Sequence, residues 1–265
     1  MRHVFFRSFL AALLGASPHA AAAERVDVEL VLAVDVSRSM DMEEFELQRA
    51  GYVAALRHPD FIRAVQSGPY GRIAVSYFEW AGSPRVESLL AWTVVDGPAS
   101  AESFAATLAG RPFSGYRGTS ISGALAYATE LLSGNEFTAE RSVIDISGDG
   151  PNNAGLPIAE PRRAAIDAGI VINGLPILIR PSRNVAELDR YYAECVIGGP
   201  GAFMLPIRVL EEFATAIRRK LVMEVSGSPA PAHVVPVQAS PQIDCLSSER
   251  DRLRFDEPFY PEFDR

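Results

Sequence analysis

Residues 28–39 read VELVLAVDVSRS, an apolar run followed at once by short oxygen-bearing side chains. The run from Val28 to Val34 predicts a buried β-strand. Asp35, Ser37 and Ser39 follow at every second position, so an extended loop points all three side chains in one direction. Carboxylate and hydroxyl oxygens are hard ligands that suit Mg²⁺, Mn²⁺ or Ca²⁺. The same residues also fit a polar turn that caps a following helix, and the choice depends on whether other segments supply further ligands.

A second polar loop, Gly115-Tyr116-Arg117-Gly118-Thr119-Ser120, leads into a predicted helix. Apolar residues between Ile121 and Leu132 recur at the spacing of one helix face. The loop either brings the Thr119 hydroxyl to the edge of the sheet beside the first loop, or Thr119 or Ser120 serves only as an N-cap.

A third polar segment follows the predicted strand Val143 to Ser147, where the sequence continues Gly148-Asp149-Gly150. In open α/β sheets ligands bind outside the carboxyl ends of strands, which makes Asp149 a candidate site residue. Asp-Gly is also a common turn signal, so a simple turn is the alternative. Asp145 alternates with apolar residues inside the strand, and we expect it to be a paired buried or edge carboxylate rather than a ligand.

Strands and helices alternate through most of the chain. Asp41 and Glu44 form a capping-box pattern that predicts a helix ending at His58-Pro59. Two strands, at 72–78 and 85–93, are joined by a turn too short for a crossover helix and are predicted to be antiparallel. Further elements are predicted as helices at 99–109, 161–168 and 210–221, a helix opened by a capping box at Asn184 and Glu187, a strand at 171–179 and a short strand at 202–205. Within the last helix, Arg218, Arg219 and Lys220 are interpreted as a basic patch that complements the helix dipole.

The first 23 residues have the pattern of a secretory signal peptide. Arg2 and Arg7 give a basic start, Phe9 to Leu14 an apolar core, and the alanines up to Ala23 a cleavage region. The apolar core is shorter than the roughly 20 residues that span a bilayer. We expect cleavage near Ala23 and a periplasmic or secreted protein.

The charge balance of the chain is acidic. The sequence has 25 basic and 33 acidic residues and a net charge of −8. The predicted signal peptide contains Arg2 and Arg7 and no acidic residue, so the rest of the chain is more acidic still. Nucleic acids and anionic membranes attract basic surfaces, so neither is an expected partner. No apolar stretch after residue 23 is long enough to span a membrane.

Both cysteines, Cys195 and Cys245, lie in the part of the chain predicted to be exported, where disulfides persist. A bridge between them would tie the C-terminal tail to the main domain. Alternatively, Cys195 is a small core residue, because it falls with Leu188 and Tyr192 on one helix face. On the compartment alone we predict the bridge.

The alternation predicts an α/β, doubly wound, Rossmann-like fold: a mostly parallel central sheet with one antiparallel edge strand and helices on both faces. With the Asp-x-Ser-x-Ser loop, the Thr and the Asp-Gly in this order, the chain resembles a von Willebrand factor type A (VWA) domain. It also resembles the exported, uncharacterised bacterial subgroup of that family, in which a strand ending Ile-Asp-Ile-Ser-Gly-Asp-Gly is typical. The predicted organisation is a signal peptide at 1–23, a VWA domain at 24–225, and a linker and C-terminal tail at 226–265.

The resemblance implies a metal-ion-dependent adhesion site (MIDAS). In such a site Ser37 and Ser39 would bind the ion directly, Thr119 directly or through water, and Asp35 and Asp149 mostly through water. The implied ion is Mg²⁺, with Mn²⁺ or Ca²⁺ as alternatives, and the implied partner is a protein that presents an Asp or Glu carboxylate. Gly148 departs from the family, in which many members have Thr at this position. The glycines at 115 and 118 would let the Thr119 loop move when a partner binds.

The first hypothesis for function is therefore an exported, metal-ion-dependent protein-binding module. The alternatives are a metal-assisted hydrolase or phosphoesterase, and a structural module whose metal only stabilises the fold. Against an enzyme, the chain after residue 23 has only His58 and His233 as histidines, and it lacks the nucleophile-elbow, phosphate-loop and zinc-protease motifs. We expect a protein without catalytic residues.

Overall fold

The structure, a computed structural model, describes residues 23–112, 115–180, 187–227 and 243–250. Five strands form one sheet in the order β3-β2-β1-β4-β5. Their bounds are β1 Glu24–Asp35, β2 Ile73–Trp80, β3 Pro84–Val95, β4 Phe137–Gly148 and β5 Val171–Pro176. The pairs β1–β2, β1–β4 and β4–β5 are parallel, and β3 runs antiparallel to β2 at one edge. The predicted sheet architecture is confirmed.

Helices cover both faces of this sheet. Their bounds are α1 Met42–Arg57, α2 Pro59–Gln66, α3 Pro98–Ala109, α4 Ile121–Ser133, α5 Ala159–Asp167, α6 Leu188–Tyr191 and α7 Phe213–Ser226. Buried side chains of α1, α2, α3 and α7 share one apolar core, and those of α4, α5 and α6 share the other. The sheet is thus buried on both sides, as a mostly parallel sheet requires.

The central position of β1 follows from its sequence. Leu30, Leu32 and Val34 belong to the core on one face, whereas Val31 and Ala33 belong to the core on the other. Successive side chains of a strand point to opposite faces, so an uninterrupted apolar run is stable only between two helical layers. This arrangement places the carboxyl end of β1 in the middle of the sheet edge.

The sequence predicted helix α1 but not helix α2, which follows it. The predicted capping box is present, since Asp41 N donates to Glu44 Oε2 over 2.8 Å and Glu44 N donates to Asp41 Oδ1 over 2.8 Å. The sequence prediction ended the helical segment at His58-Pro59 and missed α2. Proline ends α1 but is well suited to the first turn of α2, where the His58 ring accepts from Asp60 N.

The predicted strand at 202–205 is not a regular strand. Leu205 N donates to Gly174 O over 3.1 Å, and Ile207 N donates to Pro176 O over 2.9 Å, so the segment follows β5. Only isolated bridges form there. Pro176 and Pro206 have no N–H to donate, which interrupts a continuous ladder.

The interpretation of Lys220 as part of a surface basic patch was wrong. Lys220 is 0% exposed, and its Nζ lies 2.6 Å from Asp145 Oδ1 of β4 and 2.5 Å from Glu224 Oε1 of α7. Helix α7 continues to Ser226, so Lys220 lies within the helix and faces the sheet. The prediction that Asp145 is a paired buried carboxylate is confirmed.

The predicted disulfide between Cys195 and Cys245 is present. Cys195 lies in a π-helical turn, Tyr192–Val196, that continues α6. Asn184, the proposed cap of this helix, lies outside the described residues, as do residues 1–22 and most of the predicted linker and tail. Within the described ranges no helix has the length and apolarity needed to cross a membrane.

Candidate metal centre

The candidate site begins where β1 ends, at Asp35. The Asp35 side chain is 0% exposed, and its Oδ1 accepts from Ser37 N over 2.7 Å. Backbone bonds fix the loop that follows: Val36 N donates to Trp80 O over 2.8 Å and Arg38 N donates to Tyr116 O over 2.7 Å. The loop is therefore held on both sides at the edge of the sheet.

A row of hydroxyls connects this loop to the end of the next strand. Ser39 Oγ donates to Asp149 Oδ1 over 2.7 Å, and Ser37 Oγ lies 2.8 Å from Ser39 Oγ. Because the single hydroxyl hydrogen of Ser39 is given to Asp149, Ser37 is the donor to Ser39. Asp149 comes directly after β4, whose Ser147 pairs with Val34 of β1. The parallel register brings the two carboxylates to one place.

Thr119 lies close to Gly150 and lines the same cavity as Ser37 and Ser39. A Cβ added at Gly150 would lie 3.9 Å from Thr119 Oγ1, which places this hydroxyl next to the loop that starts with Asp149. The Thr119 segment is held by backbone bonds from Gly82 N to Arg117 O over 3.1 Å and from Ser120 N to Ala81 O over 2.7 Å. Of the two roles considered for this segment, Ser120 takes the N-cap of α4. The Thr119 hydroxyl is not used for that purpose.

The electrostatics of the site are unfavourable for two free carboxylates. Burial raises the pKa of Asp35 well above its usual range, and repulsion from Asp149 raises it further. Burial also raises the pKa of Asp149 to about 6, against the Ser39 hydroxyl bond, which lowers it, and with a contribution from the nearby Glu44 carboxylate, which raises it. Among the described residues, no basic side chain belongs to the main influences on either pKa. Asp35 Oδ2 is buried and has no hydrogen-bond partner there.

This donor set fits a divalent cation. Buried carboxylates are paired or coordinate metals, because an unpaired buried charge is costly. The oxygens present are two carboxylates and three hydroxyls, which suit a hard ion. The described residues contain no cluster of three or more His, Cys, Asp or Glu side chains that could hold a metal. The candidate site is not of that type, because three of its five donor groups are hydroxyls.

Gly148 has a structural reason in this chain. A Cβ at this position would lie 2.8 Å from Tyr192 Oη, 2.9 Å from Asp35 Oδ2 and 3.2 Å from Trp80 Cη2. The space that a larger residue would need is therefore filled by Tyr192 and Trp80, which are both 0% exposed. Tyr192 Oη is itself a buried hydroxyl without a hydrogen-bond partner among the described residues. Tyr192 Oη and Asp35 Oδ2 thus both lie next to Gly148, on the buried side of the candidate site.

Sequence reasoning missed several polar residues that support the site. Gln48 of α1 donates from Nε2 to Asp35 O over 3.0 Å. Asn152 and Asn153, in the loop after Asp149, accept from Ser122 N over 3.0 Å and from Thr119 N over 2.9 Å. The Asn-Asn pair three residues after Asp149 could have been noticed as polar residues close to a candidate ligand. Nothing in the sequence around Gln48 indicates its contact with Asp35.

The surface over the site carries positive charge. Arg38 and Arg117 are exposed, and with Ser37, Ser39 and Thr119 they line an open cavity of about 520 Å³. Arg38 Nε donates weakly to Gly115 O over 3.4 Å. In a chain with a net charge of −8, this local pair of cations is a distinct feature of the site.

Comparison with protein families identifies a match over most of the chain. The family described as "Protein of unknown function (DUF1194)" matches residues 25–229, which is more than half of the chain. No curated protein sequence matches this chain.

Solved structures with the same fold include a VWA protein, a pilus adhesin and a matrix protein. Proximal thread matrix protein 1 from the mussel byssus, with a zinc-occupied MIDAS motif, is 14% identical with a TM-score of 0.56, covering 77% of this chain and 48% of that one. The pilus adhesin SpaC from Lactobacillus rhamnosus GG is 14% identical, with a TM-score of 0.55 over 76% of this chain and 30% of that one. A VWA protein from Catenulispora acidiphila is 14% identical, with a TM-score of 0.53 over 76% and 43%. These likenesses establish the VWA fold, and the chain spans less than half of each of these structures.

Proposed function

Because the chain belongs to the family described as Protein of unknown function (DUF1194) and has a VWA fold, we propose a function from its own site: an exported, metal-ion-dependent protein-binding module. Asp35, Ser37, Ser39, Thr119 and Asp149 would hold one divalent cation, and a carboxylate of a partner protein would complete its coordination. In this proposal the chain is not an enzyme.

One observation carries the proposal: two buried carboxylates lie together and repel each other. Asp35 is 0% and Asp149 7% exposed, and one oxygen of Asp35 has no hydrogen-bond partner among the described residues. Leaving such a pair ionised costs free energy unless a cation is bound. The zinc-occupied MIDAS of the byssus protein supports a divalent cation here, and oxygen donors favour Mg²⁺ with Mn²⁺ or Ca²⁺ as alternatives.

The proposed binding chemistry follows from the donors. A divalent cation held largely by neutral hydroxyls keeps much of its positive charge and attracts a further anionic oxygen. The hydrogen bonds from Ser37 to Ser39 and from Ser39 to Asp149 would orient the hydroxyl oxygens. Arg38 and Arg117 add positive charge at the mouth of the site, which favours an acidic segment on the partner.

The proposed location is the periplasm or the extracellular space. The disulfide between Cys195 and Cys245 supports this, since such bonds persist in oxidising compartments. The adhesin and the matrix protein among the structural relatives support a binding role, although each is considerably longer than this chain.

The proposal is tested first by titrating Mg²⁺ and Mn²⁺ into metal-stripped protein in a calorimeter. We expect one bound ion, and a loss of affinity of about 10- to 100-fold for Asp149→Asn, since this substitution removes one of two carboxylates. Asp167→Asn is the matched control, because Asp167 is exposed on α5. Equal affinities for the wild type and Asp149→Asn contradict the site.

The binding function is tested by immobilising the protein without residues 1–23 and passing an envelope extract over it, with Mg²⁺ or with EDTA. A protein retained with Mg²⁺, released by EDTA and not retained by Asp149→Asn supports the proposal. Identical retention under both conditions points to a structural metal and contradicts the adhesion function.

A further inference from the structure

We propose that Glu249, carried by the disulfide-tied tail, is a positioning residue for the metal centre. This inference rests on the proposed function, because the centre it positions is the proposed one. Its basis is a continuous series of hydrogen bonds from the tail, through the loop at 152–158, to Thr119.

The tail is attached to the domain at two points before Glu249. Cys245 is bonded to Cys195 in the turn after α6, and Ile243 N donates to Glu194 Oε2 over 2.8 Å. Residues 247–250 then form a helical turn in which Ser248 is buried. The disulfide thus delivers the Glu249 carboxylate to a fixed place on the surface of the domain.

Glu249 fastens both ends of one loop. Its Oε1 accepts from Asn152 Nδ2 over 2.7 Å and from Ile158 N over 3.0 Å. Two donors from different ends of the loop thus converge on one oxygen of this side chain. The loop between these donors is the continuation of Asp149, three residues beyond that candidate ligand.

Asn152 transmits this contact to the interior. It is 0% exposed, its Oδ1 accepts from Ser122 N over 3.0 Å, and its own N–H donates to Tyr191 Oη over 3.2 Å. Its Nδ2 gives a second bond to Leu156 O over 3.0 Å. Because both Oδ1 and Nδ2 of Asn152 form hydrogen bonds, its side chain cannot rotate without breaking one of them. Breaking a buried hydrogen bond costs free energy.

The neighbouring residue, Asn153, connects the loop to the candidate ligand. Its Oδ1 accepts from Thr119 N over 2.9 Å, and its N–H donates to Thr119 O over 2.8 Å. Ala154 N gives Thr119 O a further bond of 3.1 Å. The loop that Glu249 fastens therefore makes three hydrogen bonds to the backbone of Thr119, and freeing this loop weakens the hold on Thr119.

The disulfide has a consequence for the metal in this arrangement. Reducing Cys195–Cys245 removes the covalent tie four residues before Glu249, so the carboxylate leaves the loop more readily. The affinity for the divalent ion falls in the reduced protein, although neither cysteine contacts the centre.

The experiment compares the wild type, Glu249→Gln and the control Glu211→Gln, which makes the same change of charge at an exposed position beside α7. Three quantities are measured: Mg²⁺ and Mn²⁺ affinity by calorimetry, and, for the metal-free proteins, amide hydrogen exchange and the midpoint of thermal unfolding. For Glu249→Gln we expect faster exchange at Ile158 and at residues 152–154. We also expect about tenfold weaker metal binding, the low end of what outer-shell partners of metal ligands contribute. The unbridged Cys195→Ser/Cys245→Ser variant should show the same two changes.

The outcomes separate this inference from the proposed function. If the wild type binds the ion and Glu249→Gln binds it equally well, the inference is wrong and the proposed function stands. If the wild type itself binds no divalent ion, the proposed function is wrong and the inference falls with it. If the midpoint of thermal unfolding of metal-free Glu249→Gln falls but its metal affinity does not, the contact is only structural, and the inference is again wrong.

Discussion

At the scale of single residues, the candidate centre is defined by what surrounds its carboxylates. Asp35 is enclosed by Trp80, Tyr192 and the backbone of Gly148, while Asp149 contacts the Ser39 hydroxyl. The buried side of the site therefore contains ring atoms and a phenol, and the outer side contains hydroxyls and two exposed arginines. This asymmetry leaves only the outer side open to a partner.

Gly148 provides a prediction at this scale. Gly148→Ala should lower the free energy of unfolding by about 1–3 kcal/mol, because the new methyl group would lie 2.8 Å from Tyr192 Oη in a filled space. Chemical denaturation of the metal-free protein measures this loss. Gly110→Ala is the control, since its Cβ meets nothing nearer than 3.7 Å.

A second variant tests whether the contact with Tyr192 causes the loss of stability in Gly148→Ala. In a Tyr192→Phe background the hydroxyl that the new methyl group meets is absent, so Gly148→Ala should cost less there than in the wild type. An equal loss in both backgrounds would show that the contact with Tyr192 is not the cause.

At the scale of elements, α7 is joined to the sheet by a buried ionic cluster. Lys220 and Glu224 of α7 meet Asp145 of β4, and Asn173 of β5 donates to Glu224 Oε1 over 3.2 Å. Burial raises the pKa of Glu224 to about 8, and repulsion from Asp145 adds to this, while Lys220 lowers it. Burial and the Asp145 carboxylate thus outweigh Lys220 and favour the protonated form of Glu224 at neutral pH.

This cluster predicts a pH dependence of stability. Between the ordinary Glu224 pKa of 4.5 and its folded value of about 8, the folded protein holds a proton that the unfolded chain has released. Stability therefore falls as the pH rises through this window, because the folded state binds more protons. Denaturant unfolding of the metal-free protein between pH 5 and 8 should show the decline.

Glu224→Gln isolates the contribution of this one group. The variant keeps the shape of a protonated glutamate and has no proton to lose, so its stability should decline less over the same pH range. Subtracting the stability–pH curve of the variant from that of the wild type cancels the contributions of the other titrating groups, Asp35 and Asp149 among them. Parallel curves for the variant and the wild type would contradict the assignment.

At the scale of the whole molecule, the fold joins segments that are far apart in the sequence. Asp35 and Asp149 meet because β1 and β4 are neighbours in the sheet, and Cys245 reaches Cys195 across a separation of 50 residues. The candidate site thus lies on three loops at one sheet edge, and Glu249 of the tail contacts one of these loops through Asn152.

The expected processing of the chain is a prediction for the whole molecule. Mass spectrometry of the protein recovered from an exporting cell should find an amino terminus at or near Glu24 and no free thiol. An intact Met1, or two reactive thiols, would contradict the predicted signal peptide or the export of the chain.

The sequence by itself determined those features that depend on local chemistry. The apolar run Val28–Val34, the helix signals and the short link between β2 and β3 were enough to predict the sheet architecture. Short polar residues placed after strands or before a helix identified the five candidate ligands, because ligands in such folds gather at the carboxyl ends of strands. Whether those five residues bind a metal stays a prediction.

Only the tertiary structure decided what occupies the space behind and beside these residues. Lys220 looks like a surface cation in its local sequence, but it is buried because α7 packs its face against Asp145. Nothing near Glu249 in the sequence indicates its contact with Asn152, and nothing near Gly148 indicates Tyr192. These contacts join residues many positions apart, and they depend on how the layers pack. A local pattern of residues carries no information about such packing, so it had to be read from the folded chain.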